Sequence, residues 1–268
     1  MEISVKIYST DDNIILTVPK VASTLLSSMY DDEYIGGMKF DYNINIEEGT
    51  ITPRDSNHNS LTTQTISDIQ NIFTNKSEKN LIVLYRNPQD RLKSAIIQDF
   101  VSQIVDNESA DFLLSVLYKI FNTPYHVQTF IRNNKHSFHL SSVETPEVEV
   151  FLEKSLIYFM DFLSKDGYSN HHASEYLNYF YIFLMKYQID LSKLILCDID
   201  SGNFDGLIKH YNLNVNYKQK NSNSQFKYII NNILDDENNK HIADKFFYKI
   251  ERENTFYDIL KNNPNNFK

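Results

Sequence analysis

Two short polar turns carry most of the chemistry in this chain. Pro19-Lys20-Val21-Ala22-Ser23-Thr24 follows the apolar run IILTV at 14–18, and Arg86-Asn87-Pro88, with Arg91 and Ser94 beyond it, follows LIVLY at 81–85. Each run reads as a buried strand, and each turn opens a helix-like stretch. That is how an α/β protein presents anion-binding backbone at the carboxyl edge of its sheet. In the first turn the N–H groups of the helix start supply donors, Lys20 supplies a point charge, and Ser23 and Thr24 add hydroxyls. In the second, Arg86 offers a planar fork and Ser94 a hydroxyl to the same kind of group. Arg91, one helical turn from Pro88, suits bracing the helix better than facing a ligand. Read as a pair, the turns predict a ligand with phosphate-like charge at both ends. The blander alternatives are a strand-to-helix turn capped by Ser23 and a surface ion pair made by Arg86.

Around these turns the chain reads as follows. Residues 3–8 alternate as an edge strand, Asp11-Asp12-Asn13 turns the chain, and 14–18 form a buried strand with a short helix after it. Residues 38–52 are strand-like about a Glu47-Glu48-Gly49 turn, 55–60 form a polar loop, and Ile66, Ile69, Ile72 and Phe73 fall at helical spacing. Residues 81–85 are the strongest strand, with a helix from about Pro88. From Leu92 to about Gln188 the apolar period is mostly 3.6, broken at Asn122-Thr123-Pro124, Asn133-Asn134 and Thr145-Pro146. Its aromatic residues, such as Phe151, Phe159 and Tyr176, read as core. Leu194-Ile195-Leu196-Cys197 is a further buried strand, 204–211 a helix, 214–225 an Asn- and Lys-rich loop, and 241–261 a closing amphipathic helix.

Composition narrows the function classes. The 268 residues, 41% hydrophobic and 13% aromatic, suffice for one sizeable globular core. A net charge of −9 argues against general nucleic-acid binding while leaving room for a local basic pocket. The single cysteine, Cys197, cannot form an internal disulfide, which fits a reducing compartment. The N-terminal residues lack a basic region followed by an apolar core, and no run reaches membrane-span length. The expectation is a soluble, cytoplasmic protein with no membrane anchor and no nucleic-acid partner. A metal site is not expected: His171-His172 are adjacent rather than spaced for one helix face, and Cys197 has no partner ligand in the sequence.

The first turn is not a Walker A loop, because its lysine comes first and it has no glycine. It resembles instead the 5′-phosphosulfate-binding loop of sulfotransferases that use 3′-phosphoadenosine 5′-phosphosulfate (PAPS), whose loop has a Pro-Lys-x-(Ala/Gly)-(Ser/Thr/Cys)-(Ser/Thr) character. RNPQDRLKS, with Arg86, Pro88 and Ser94, is similar to the same family's 3′-phosphate motif. A weaker similarity lies at 172–211, in His172, Ser174 and Tyr176, the strand LILCDI, and FDGLIKHYNL. One departure stands there, Cys197-Asp198 in place of the family's frequent Glu-Asp. The resemblance is nearest to the carbohydrate-type enzymes.

The resemblance implies a P-loop NTPase-like sulfotransferase fold, α/β, with a central mainly parallel sheet flanked by helices. Residues 1–268 would form a single domain, with the helical stretch 95–188 an excursion that lines the acceptor. PAPS would be the donor, without a metal, and a small molecule or saccharide the acceptor. Lys20, Val21, Ala22, Ser23, Thr24 and Leu25 would cradle the phosphosulfate, and Arg86 with Ser94 the 3′-phosphate. Lys220, Asn221 and Ser222, with Lys218, fall where the family's late loop meets the nucleotide, although a solvated loop has the same composition.

In-line sulfuryl transfer needs positioned oxygens and stabilisation of the leaving phosphate, the role the resemblance gives Lys20. It also needs a base for the acceptor proton, a histidine or glutamate lying between the two motifs in related enzymes. His58 is the only histidine between Thr24 and Arg86 and takes that role, against the alternative of an exposed loop histidine. Glu47 and Glu48 stand in reserve, while His126, His136 and His139 read as structural or exposed. Two rival classes remain: a kinase-like phosphotransferase, disfavoured by the missing glycines, and a non-catalytic nucleotide-binding module of the same fold.

Overall fold

The computed structural model describes residues 2–10, 12–17, 21, 38–45, 50–53, 79–101, 146–168, 192, 194–213 and 224–268. Six strands run in chain order as β1 (Glu2–Ser9), β2 (Asn13–Thr17), β3 (Met38–Asn45), β4 (Thr50–Pro53), β5 (Asn80–Tyr85) and β6 (Leu194–Asp198). The helices are α1 (Pro88–Val101), α2 (Pro146–Ser164), α3 (Phe204–His210), α4 (Ser224–Asp235) and α5 (Lys240–Lys261).

β2, β5 and β6 are neighbours and parallel, with Asn13 opposite Asn80, Leu16 opposite Val83, Leu81 opposite Leu194 and Tyr85 opposite Asp198. Ile14, Ile15, Leu16, Ile82, Val83, Leu84 and Leu196 are all buried. Parallel strands covered on both faces need such continuous apolar runs, and each large aliphatic residue contributes roughly 1.5–3 kcal/mol on burial. The α/β class expected from the sequence is therefore present.

The sheet as a whole is mixed rather than mainly parallel. Its order is β4-β3-β1-β2-β5-β6, and β4/β3, β3/β1 and β1/β2 are antiparallel. For β1/β2 the cause is local: a tight turn joins the two strands, and so short a connection permits only antiparallel pairing. Thr10 N–H donates to the Asn13 carbonyl (2.8 Å), and Asn13 N–H donates to Thr10 Oγ1 (3.1 Å). Nor is β1 an edge strand, since β2 pairs with one side of it and β3 with the other. An alternating sequence is as compatible with an interior antiparallel strand as with an edge.

The chain divides into two compact units, one of residues 1–88, 175–220 and 252–268, the other of 89–174 and 221–251. The first contains the sheet. There the C-terminal tail covers the outer side of β6: Phe267 N–H donates to the Leu196 carbonyl (2.8 Å) and Leu196 N–H to the Asn265 carbonyl (3.2 Å). Covering an edge in this way removes a template for unwanted strand pairing.

The second unit is helical. Leu92, Ile96 and Phe100 of α1 share a core with Leu156, Phe159 and Met160 of α2, Phe226, Ile230 and Ile233 of α4, and Ile242 and Phe246 of α5. Pro146, which breaks the preceding pattern, is the first residue of α2, a position where its missing N–H costs nothing. The 214–225 loop expectation ends early, because α4 begins at Ser224; residues 214–223 lie outside the described residues. α4 buries Phe226, Ile229, Ile230 and Ile233 while Tyr228, Asn231 and Asn232 face solvent, a clear helical stripe.

Candidate functional site

The ends of the three parallel strands meet at one sheet edge. β2 ends at Thr17, whose hydroxyl donates to the carbonyl of Val21, and both residues are buried. This bond ties together the two sides of the segment 18–20. β5 ends at Tyr85, and only Arg86 and Asn87 separate it from α1. β6 ends at Asp198, and Ile199 N–H, in the turn that follows, donates to the Tyr85 carbonyl (3.0 Å). The turn after β6 is thereby held beside Arg86.

Arg86 Nε donates to Asp200 Oδ2 at 3.1 Å, with the two side chains 14% and 31% exposed. Asp200 is itself held from behind. Its N–H donates to Asp198 Oδ1 (3.0 Å), while Tyr257 OH donates to Asp198 Oδ2 (2.7 Å) and Ser201 Oγ to the Asp198 carbonyl (2.7 Å). Asp198 is buried, and these donors satisfy both of its carboxylate oxygens, as a buried charge requires. Tyr85 completes the layer by donating to Asn266 Oδ1 (2.7 Å) and meeting the Tyr257 ring edge-on at 5.8 Å.

The electrostatics follow from burial. Burial first, and then the charge of Asp198 (which also accepts the Tyr257 hydrogen bond), raise the phenols of Tyr85 and Tyr257 well above their ordinary value. Both therefore act as neutral donors. Burial, with Asp198 adding to it, pushes the Cys197 thiol up to about 12. That thiol stays protonated and is a poor nucleophile or metal ligand at neutral pH. The edge thus presents one guanidinium whose counter-ion is fixed by a satisfied network beneath it.

Of the residues singled out from sequence, Arg86 stands at this edge and Val21 lies beside the end of β2. Ser94 is half-buried on α1, and Arg91 is 2% exposed. Lys20, Ala22, Ser23, Thr24, Leu25, His58, Lys220, Asn221 and Ser222 lie outside the described residues. So do Glu47, Glu48, His126, His136, His139, His171, His172, Ser174, Tyr176 and Lys218. The sequence reading missed Asp200, Tyr257 and Asn266. The available signal was a pair of carboxylates, Asp198 and Asp200, straight after a buried strand.

The helical unit has a shallow groove of about 380 Å³ lined by Lys154, Ile157, Tyr158, Asp161, His241 and Ile242. In it Asp161 is shared between His241 Nε2 (3.0 Å) and Lys165 Nζ (3.4 Å). Among the described residues no group of three or more His, Cys, Asp or Glu side chains is arranged to hold a metal, and no helix is long and apolar enough to cross a membrane. No protein-family model, curated protein or solved structure matches the chain.

Proposed function

We propose that the chain is a PAPS-dependent sulfotransferase of the P-loop-like fold, acting in the cytoplasm on a hydroxyl or amine of a small molecule or saccharide. The observation that carries this reading is the parallel pairing of β2 with β5, from Asn13 opposite Asn80 to Leu16 opposite Val83. Parallel pairing brings the ends of β2 and β5 to the same sheet edge, which supports reading the segments that follow them as holding two ends of one ligand. In the proposed reaction the acceptor oxygen or nitrogen attacks sulfur as the bond from sulfur to the bridging phosphate oxygen breaks. The acceptor proton passes to His58, and 3′-phosphoadenosine 5′-phosphate leaves. Lys20 stabilises the charge that develops on the leaving phosphate, and Arg86 with Ser94 holds the 3′-phosphate.

The ion pair at Arg86 favours a second reading, a non-catalytic module in which Arg86 fastens the end of β5 to the turn after β6. Competition between nucleotides tests the first reading. A sulfotransferase binds 3′-phosphoadenosine 5′-phosphate in preference to ATP, and Arg86→Ala removes that preference. Preference for ATP points to a phosphotransferase, and a mutant that only loses stability points to the module.

A further inference from the structure

We infer that Asp200 is an internal competitor for the 3′-phosphate, occupying Arg86 when the nucleotide is absent and returning to it as the product leaves. The inference rests on the sulfotransferase reading and adds a release device to that site. The geometry carries it. Asp200 Oδ2 lies 3.1 Å from Arg86 Nε, so an anion that comes to this guanidinium meets a carboxylate already there. Asp200 does not merely drift across this surface. Its N–H is fastened to Asp198 Oδ1, and Asp198 is buried and gripped through its other oxygen by Tyr257. The turn therefore keeps Asp200 in reach of Arg86 whether or not the side chain is bound there, which gives the carboxylate a high effective concentration.

The consequence for binding is a penalty on every ligand that uses Arg86: its apparent affinity is scaled down by the fraction of time the arginine is free of Asp200. The pair is partly exposed, so the penalty is modest. Modest is what turnover favours. Donor and product carry the same 3′-phosphate, so grip on it is uniform binding that does nothing for the chemical step and slows product departure. A tethered carboxylate weakens that grip without touching the groups assigned to the reacting sulfur.

The test compares Asp200→Asn with the unmodified protein, measuring affinity and dissociation rate for 3′-phosphoadenosine 5′-phosphate and for adenosine 5′-phosphate, which lacks the 3′-phosphate. Asparagine keeps the shape and the backbone bond to Asp198 while removing the charge. The expected result is roughly two- to five-fold tighter and correspondingly slower-leaving bisphosphate, with adenosine 5′-phosphate unchanged. Unchanged or weaker bisphosphate binding overturns the inference and makes Asp200 a positioning residue or a bystander. Equal tightening of both nucleotides also overturns it, in favour of a general change in surface charge. If the unmodified protein shows no preference for the bisphosphate and Arg86→Ala has no effect, the sulfotransferase reading itself has failed and the inference falls with it. Asp200→Ala, carried through the same measurements, separates loss of charge from any special behaviour of the amide.

Discussion

Tyr257 donates its phenolic hydrogen to Asp198 Oδ2 over 2.7 Å, joining the last helix to the end of β6 beneath the candidate site. This bond has consequences for stability and for pH, because it supports a buried carboxylate that in turn supports the turn carrying Asp200.

Tyr257→Phe removes one of the donors to the Asp198 carboxylate without opening a cavity. A hydrogen bond to a buried charge contributes about 1.5–3 kcal/mol, so denaturant unfolding should show a loss of that order with the helical signal retained at low denaturant. A variant as stable as the unmodified protein would show that water replaces the phenol at no cost.

Cys197 should resist alkylation in the folded protein. Burial and Asp198 move its thiol from 9.0 to about 12, so the native state holds a proton that the unfolded state releases at lower pH. Stability from this group is complete below 9.0 and declines as pH rises toward about 12. Tyr85 and Tyr257, shifted upward from 10.0, add a decline that begins above that pH. Iodoacetamide at pH 8.5 should label Cys197 only after denaturant is added. Labelling at the rate of a free thiol without denaturant would contradict this, and because the chain has one cysteine the assay has a single site to read.

Asn266→Ala should detach the tail from the sheet. The Asn266 amide donates to the carbonyls of Leu260, Lys261 and Asn263 at 2.7–2.9 Å, closing the end of α5, and its oxygen accepts from Tyr85. Losing this group leaves the Tyr85 hydroxyl and the helix end unsatisfied, a cost of about 1–3 kcal/mol. Amide exchange at Leu196 and Phe267, whose N–H groups bridge tail and strand, should accelerate. Unchanged exchange at both would show that the tail is held by other contacts.

The parts of this fold that could be read from sequence are those with a local cause. β2, β5 and β6 announce themselves as uninterrupted apolar runs because both of their faces are covered, and Pro88 marks the start of α1. The interior position of β1 depends on β3, whose nearest partner in sequence, Met38, lies 29 residues beyond Ser9, and no pattern within β1 encodes that partner. α4 escaped notice because its asparagines give the segment a loop-like composition, although Phe226, Ile229, Ile230 and Ile233 keep a helical stripe. At the candidate site Arg86 was legible from its place after a strand. Its counter-ion was not, since Asp200 lies 114 residues further along and meets it only because β5 and β6 are neighbours.

On the proposed reading, Arg86 grips the 3′-phosphate of a nucleotide held at the carboxyl edge of β2 and β5. Calorimetric titration of the full chain with 3′-phosphoadenosine 5′-phosphate, before and after Arg86→Ala, tests it most directly. Saturable binding at one site is expected in the unmodified protein, with a loss of at least ten-fold in affinity in the variant, about 1.4 kcal/mol. Equal affinity in the two proteins, with both folded, would contradict it.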